Sequence, residues 1–389
     1  SQKGTIVLYF NIRVQEYYLL SIYTVTNKLS RLPIKFQWRN LRRVTMIKKY
    51  TYGTPFLTDT VTTQIESTKE TFPFFTIKKE AGFSFTYLMG EDDIVYGLGE
   101  NIRGINKRGF SYISNCSDEC GYTEDKHSIY AAHNFVLVDG SDRFGLFIDC
   151  PEKITFDIGW SDYDTFVITT ESVDMDLYII EEPTLQGIVK SFRKLIGESY
   201  IPPKWGLGYQ QSRWGYASEE DFYEVAKGYE SNRIPLEAIY MDIDYMERFK
   251  DFTIDREKFP HFETLVLDMK KKGIKLVPII DAGVKIEDGY ETYEEGLAND
   301  YFCTDCTGKP FVVAVWPGRV LLPDFLNPDA RDWFGKKYQF LTDLGIEGFW
   351  NDMNEPALFY SDEGLKETFD FLDTLKDKNI GIYDYFALN

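Results

Sequence analysis

Histidine is nearly absent from this sequence, with 3 in 389 residues, which removes the residue on which most metal centres are built. Cysteine does not compensate. Five cysteines are an odd number for a disulfide framework. Cys303 and Cys306 form a C-x2-C pair and Cys116 and Cys120 a C-x3-C pair, but the pairs lie far apart in the chain. No metal is expected, and the thiols read as the reduced ones of a cytoplasmic protein. No apolar run reaches the 18 residues of a membrane span, and no basic, apolar, small-residue leader opens the chain. Positive charge is in deficit too: 43 Lys and Arg stand against 62 Asp and Glu, a formal net charge of −19. Like charges repel over a Debye length, so neither nucleic acid nor an anionic membrane suits the chain as a partner. A neutral small solute does.

Aromatics, by contrast, are abundant: 30 Phe, 27 Tyr and 7 Trp make up 16% of the chain, and flat rings line carbohydrate pockets as well as cores. The length admits two or three domains, each with its own core. Residues 1–45 stand apart from the rest. Eight Lys or Arg face the single acid Glu16 there, and the first methionine is Met46. The segment 1–45 therefore reads as a non-native or upstream-translated extension, with the natural start at Met46. The alternative is a genuine β-rich extension, because VLYFNIRV and YYLLSIYTV have strand composition.

Over 46–199 the pattern is one of short β segments broken by Gly, Asn and Asp: FSFTYLM, IVYGLG, FVLVDG, FGLFIDC, ITFDIG, TFVITT and DLYII. Their lengths and spacing predict a β-sandwich domain. At Ile201 the period changes. IPPKWGLGYQQSRWGY opens with a proline pair suited to a linker and continues into a short strand, and SEEDFYEVAKGYESN is a helix with Ser218 at its N-cap. LEAIYMDIDY is the next strand, HFETLVLDMKKKG a helix stopped at Gly273, and IKLVPIIDAG a third strand. A long insertion from about Val284 to Asn327 carries VWPG, and a helix from Pro328 to about Leu344 precedes the fourth strand. Strands alternating with helices predict parallel β/α units over 200–389.

That fourth strand, in GIEGFWNDMNEP at Gly345 to Pro356, breaks from an apolar run into Asp352, Asn354 and Glu355. Each of the four strands ends in an acid, an aromatic or both. A carboxylate inside a strand is costly without a partner, whereas the carboxyl ends of barrel strands form the active face.

SRWGY, MDIDYMERFKDFT, PIIDAG, VWPG, PDFLNP and WNDMNEP, with VYGLGE upstream, resemble in order and spacing the motifs of glycoside hydrolase family 31, the retaining α-glucosidases and α-xylosidases. The resemblance implies a multidomain β plus α/β fold, an amino-terminal β-sandwich followed by the first half of a TIM-type (β/α)8 barrel. It implies a small-molecule α-glucoside or oligosaccharide substrate and no cofactor, because two carboxyl groups and water suffice. Matched position by position, Asp352 corresponds to the nucleophile and Asp242 to the residue that holds the far hydroxyls of the terminal sugar. Trp214, Ile243, Ile279, Asp281, Trp316, Trp350 and Met353 correspond to pocket walls, with core packing as the alternative for Ile243 and Ile279. A loop of the family's β domain lends an aspartate to the pocket; Asp118 is the candidate, with Asp125 close by.

In the family the acid/base aspartate lies beyond the fourth strand. A barrel needs eight strands and about 250 residues, and ETFDFLDTLKDKNIGIYDYFALN after Gly364 carries none of the later motifs. The expectation is a truncated chain, inactive by itself and prone to associate through an open sheet edge. Two rivals stand beside this reading. In one, NEP at Asn354–Pro356 belongs to a β-glycosidase barrel with Glu355 as acid/base; in the other, the chain is a carbohydrate-binding relative without catalysis.

Overall fold

The computed structural model describes residues 7–14, 17–24, 46–79, 82–116 and 121–358. The chain divides into two units, Ser1–Val44 and Thr45–Asn389. In the first, β1 (Val7–Val14) and β2 (Tyr17–Thr24) pair antiparallel. Asp118, Cys120 and the stretch after Leu358 lie outside the described residues.

The second unit begins with two five-stranded antiparallel sheets. One orders β4 (Thr76–Lys79), β5 (Phe83–Leu88), β11 (Thr165–Thr170), β10 (Ile154–Ile158) and β7 (Phe110–Ser114). The other orders β3 (Met46–Tyr52), β12 (Met175–Glu181), β9 (Arg143–Asp149), β8 (Phe135–Asp139) and β6 (Ile94–Gly97). Phe85, Phe156 and Phe166 from the first and Val136, Phe144, Leu146 and Ile179 from the second share one core, which makes the pair a sandwich. The second sheet is covered on its other face as well. Helix α1 (Leu185–Ile196) lays Ile188, Phe192 and Leu195 against Phe135, Leu137, Phe147 and Ile180, and the Phe135 and Phe192 rings stack at 3.8 Å.

A parallel sheet follows, ordered β13 (Gln210–Gln211), β14 (Ala238–Met241), β15 (Lys275–Asp281) and β19 (Trp350–Asp352). Between its strands run α2 (Glu219–Ser231) and α3 (Phe262–Lys271), then the insertion, then α5 (Pro328–Lys337) and α6 (Gln339–Asp343). The Asp221 carboxylate ties off the start of α2 by accepting the Ala217 and Ser218 N–H groups and the Ser218 hydroxyl, each at 2.9 Å. Gly273 ends α3 with a φ of +77°, as a C-terminal glycine allows. The single helix expected from Pro328 to about Leu344 is two. They meet at Tyr338, whose N–H bonds back three residues to Gly335 and whose ring packs among Phe252, Phe334 and Phe349.

The insertion holds α4 (Glu291–Ala298) and a small antiparallel sheet of β16 (Val284–Lys285), β18 (Gly318–Leu321) and β17 (Val312–Val315). Trp316 and Pro317 form the turn between β17 and β18, where Val315 faces Gly318.

The parallel sheet has two faces, set by register. Ile239, Met241, Leu276 and Ile280 pack with Phe222 and Ala226 of α2 and with Phe262, Leu265 and Met269 of α3 in one core. The alternate positions, Gln210 on β13, Tyr240 on β14, Val277, Ile279 and Asp281 on β15, and Trp350 and Asp352 on β19, share the other face. Tyr240 proves the point by donating its hydroxyl to Gln210 Oε1 at 2.7 Å and setting its ring edge-on to Trp350 at 5.9 Å. This second face is the inside of the curled half-barrel. Near its amino-terminal end, Trp205 lies against Gly348 so closely that a Cβ there would meet the ring at 2.7 Å.

Candidate active site

Three carboxylates gather where the inner face reaches the carboxyl ends of the strands. Asp281 and Asp352 are register partners on the adjacent strands β15 and β19, so their backbones lie about 4.8 Å apart and their side chains leave the sheet on the same side. Asp242 follows β14 directly and caps the turn Ile243–Tyr245, accepting the Ile243 N–H at 2.8 Å. The three sense one another. Burial, then the charges of Asp352 and Asp242, push the Asp281 carboxyl up to about 7; burial, with Asp244 and Asp352 adding, raises Asp242.

They differ in exposure. Asp281 is 1% exposed, and neither of its oxygens has a hydrogen-bond partner among the described residues. Asp242 and Asp352 are half-buried. Like charges this close resist ionising together, and the resistance is greatest at the group with the least water, Asp281.

Behind the row lies a support that the sequence reading missed. Asp251, 1% exposed, accepts the Asp281 N–H on Oδ1 at 3.1 Å, and burial, reinforced by Asp281, holds its carboxyl well above the usual range. Tyr290 donates its hydroxyl to the Asp251 carbonyl at 2.7 Å, and Tyr245 donates to the Ile279 carbonyl at 2.8 Å. These bonds fix the end of β15. Beyond them, Lys250 and Arg248 converge on the Glu287 carboxylate, with Lys250 Nζ at 2.9 Å.

Of the wall candidates, Trp350 stands half-buried directly before Asp352 on the inner face. Trp214, 43% exposed, sits on the segment between β13 and α2. Trp316 packs at the edge of the barrel core from its hairpin tip. Met353 follows β19 with a φ of +60°, a conformation that costs a non-glycine residue about 1–2 kcal/mol, and its side chain packs with Val313, Val315 and Val320. Ile243 and Ile279 are members of the barrel core at 2% and 1% exposure. Glu355 lies past the turn at Met353 and so off the row of strand positions, with Oε2 buried and unpartnered among the described residues. Asp125 is exposed, and the Thr123 hydroxyl holds its carboxyl below the usual range. Among the described residues no group of three or more His, Cys, Asp or Glu could hold a metal ion.

A family model described as the glycosyl hydrolases family 31 TIM-barrel domain matches residues 199–387, and one described as the glycosyl hydrolase 31 N-terminal galactose mutarotase-like domain matches residues 23–157. The chain belongs to glycoside hydrolase family 31. Among its relatives in this family, alpha-glucosidase 2 of Bacillus thermoamyloliquefaciens is 40% identical over 288 residues, 72% of this chain and 36% of that protein. The alpha-glucosidase of Saccharolobus solfataricus is 28% identical over 68% of this chain and 38% of its own length. A Flavobacterium johnsoniae family 31 dextranase solved with isomaltotriose superposes with a TM-score of 0.67 at 25% identity, covering 82% of this chain and 40% of the dextranase. The chain thus spans between a third and two fifths of the length of these relatives. Asp242, Asp281 and Asp352 all fall inside the matched family 31 barrel domain.

Proposed function

We propose that this chain carries the nucleophile half of a retaining, exo-acting α-glycoside hydrolase of the α-glucosidase kind. The observation that carries the reading is the pairing of half-buried Asp352 with buried Asp281 at the ends of adjacent inner-face strands. A retaining glycosidase needs one carboxyl group kept ionised to attack the anomeric carbon. Burial weighs most heavily against charge on Asp281, and the attacking carboxylate is assigned to the more open Asp352. Its carboxylate oxygen bonds to the anomeric carbon as the bond to the leaving oxygen breaks, and water then cleaves the glycosyl ester to release the sugar and restore the carboxylate. Asp242 holds the far hydroxyls of the terminal sugar, while Trp214, Trp316, Trp350 and Met353 form the walls. The substrate is an α-glucoside or α-glucosyl oligosaccharide.

The second carboxyl group must stand about 5–5.5 Å from the first and reach the leaving oxygen. Asp281, at 1% exposure, is too enclosed for that. We propose that the acid/base is supplied by barrel strands further along than β19, contributing the factor of about 10² to 10⁴ that a general acid gives.

The test is covalent trapping with a 5-fluoro-α-glucosyl fluoride, whose leaving group needs no proton. Peptide mass spectrometry is expected to find the glycosyl adduct on Asp352, lost in Asp352→Asn and kept in Glu355→Gln. An adduct on Glu355, or labelling that survives Asp352→Asn, would overturn the assignment in favour of the β-glycosidase arrangement.

A further inference from the structure

The sandwich has a cavity of its own, about 590 Å³, on the outer face of the β3–β12–β9 sheet. Its roof is the chain from 53 to 68. This arm leaves β3, donates the Thr62 and Thr63 N–H groups to the Leu195 carbonyl of α1, and returns so that Ser67 Oγ accepts the Thr51 N–H at 3.1 Å. Its floor is a row of cross-strand neighbours, Thr51, Asp176 and Asp149, one from each of three adjacent strands.

Two carboxylates directly opposite one another weaken a sheet, and the compensation here is lopsided. Asp176 accepts Lys49 Nζ and the Thr51 hydroxyl, both at 2.7 Å. Asp149 has the Thr58 hydroxyl, which stands 2.9 Å from each of its oxygens, yet one hydroxyl proton serves only one of them. Asp149 is half-buried, and burial, with the Asp176 charge adding to it, raises its carboxyl above the usual range. At the rim, Phe56 is 47% exposed. Such local conflict between charge and burial marks functional surfaces more often than structural ones.

We propose that this cavity is a second carbohydrate-binding site, distinct from the barrel, which takes a neutral mono- or disaccharide. Adjacent sugar hydroxyls can donate to Asp149 and Asp176, which both line the cavity, while the C–H face of the ring rests on Phe56. Asp149, Asp176 and Glu66 outnumber Lys49 around the cavity, which disfavours an anion, and no set of three or more metal-ligating side chains gathers here among the described residues. The volume lies within the range of about 300–1,000 Å³ typical of small-molecule pockets. The site does not depend on the hydrolytic reading of the barrel.

Titration with maltose, read by calorimetry on the Asp352→Asn, Asp242→Asn background, isolates this site from the barrel. The expected result is a Kd of about 1–10 mM that rises at least about tenfold in Asp149→Ala and in Phe56→Ala. Phe56→Ala alters an exposed ring and keeps the test valid should Asp149→Ala fail to fold. Absence of binding in that background, or binding indifferent to a folded variant at either position, would overturn the proposal. Labelling of Asp352 is read separately, so one result can fail without the other.

Discussion

Asp281 offers the sharpest physical test of the barrel site. Raising its carboxyl from the ordinary 3.8 to about 7 means that ionising it in the folded state costs about 4 kcal/mol more than in the unfolded chain, at about 1.36 kcal/mol per pH unit. The sign follows directly. Between pH 4 and 7 the folded protein holds a proton that the unfolded chain has released, so stability falls as pH rises through that window and levels off above it. Asp281→Asn replaces the carboxyl with a neutral group of the same shape. Relative to the variant, the native chain should therefore match it near pH 4, lose up to about 1.4 kcal/mol per pH unit in mid-window, and trail by about 4 kcal/mol at pH 8. Urea denaturation of both proteins from pH 4.5 to 8, followed by tryptophan fluorescence, reads the difference. Parallel pH profiles would refute the argument, for they would mean that Asp281 ionises as freely folded as unfolded.

Three further substitutions probe what holds the site in place. Tyr245→Phe removes a buried hydrogen bond to the Ile279 carbonyl; a loss of about 0.5–1.5 kcal/mol is expected from urea midpoints. Asp221→Ala frees two N–H groups at the start of α2 and should cost about 0.5–2 kcal/mol, with hydrogen exchange faster in the first turn of α2. Gly348→Ala places a methyl 2.7 Å from the Trp205 ring; overpacking of about 1–3 kcal/mol should appear together with a shifted Trp205 fluorescence. No change in either would show that the ring yields freely.

Much of the architecture was legible because burial writes itself into period. FSFTYL alternates buried and half-buried along β5, as a strand with one covered face must. FVLVD is buried over four of its five residues in β8 because the core covers one side and α1 the other, and its continuous apolar run says as much. Helix α1 itself was not anticipated. Its signals were present, with Thr184 capping through the Gly187 N–H at 3.0 Å and Leu185, Ile188, Phe192 and Leu195 at helical spacing, but one helix among many strands does not announce itself when the neighbouring segments set the expected period. The insertion was legible only as an insertion. Its sheet rests on a strand of two residues, β16, too short to carry any period.

The row of carboxylates was legible residue by residue but not as a circuit. MDID, PIIDAG and WNDM each place an aspartate at the end of an apolar stretch and KDFT places one after a charged run, and nothing in their composition tells how much water each acid keeps. Register and exposure separate them. Asp352 and Asp281 face each other across two strands, yet one is half-buried and the other 1% exposed, and Asp251, equally buried, accepts a backbone N–H. The same side chain thus meets three different environments, according to how much water and which partners each position gives it. A sequence names the acids; which of them stays charged is decided by neighbours dozens of residues away, because the cost of an ionised carboxylate depends on its surroundings.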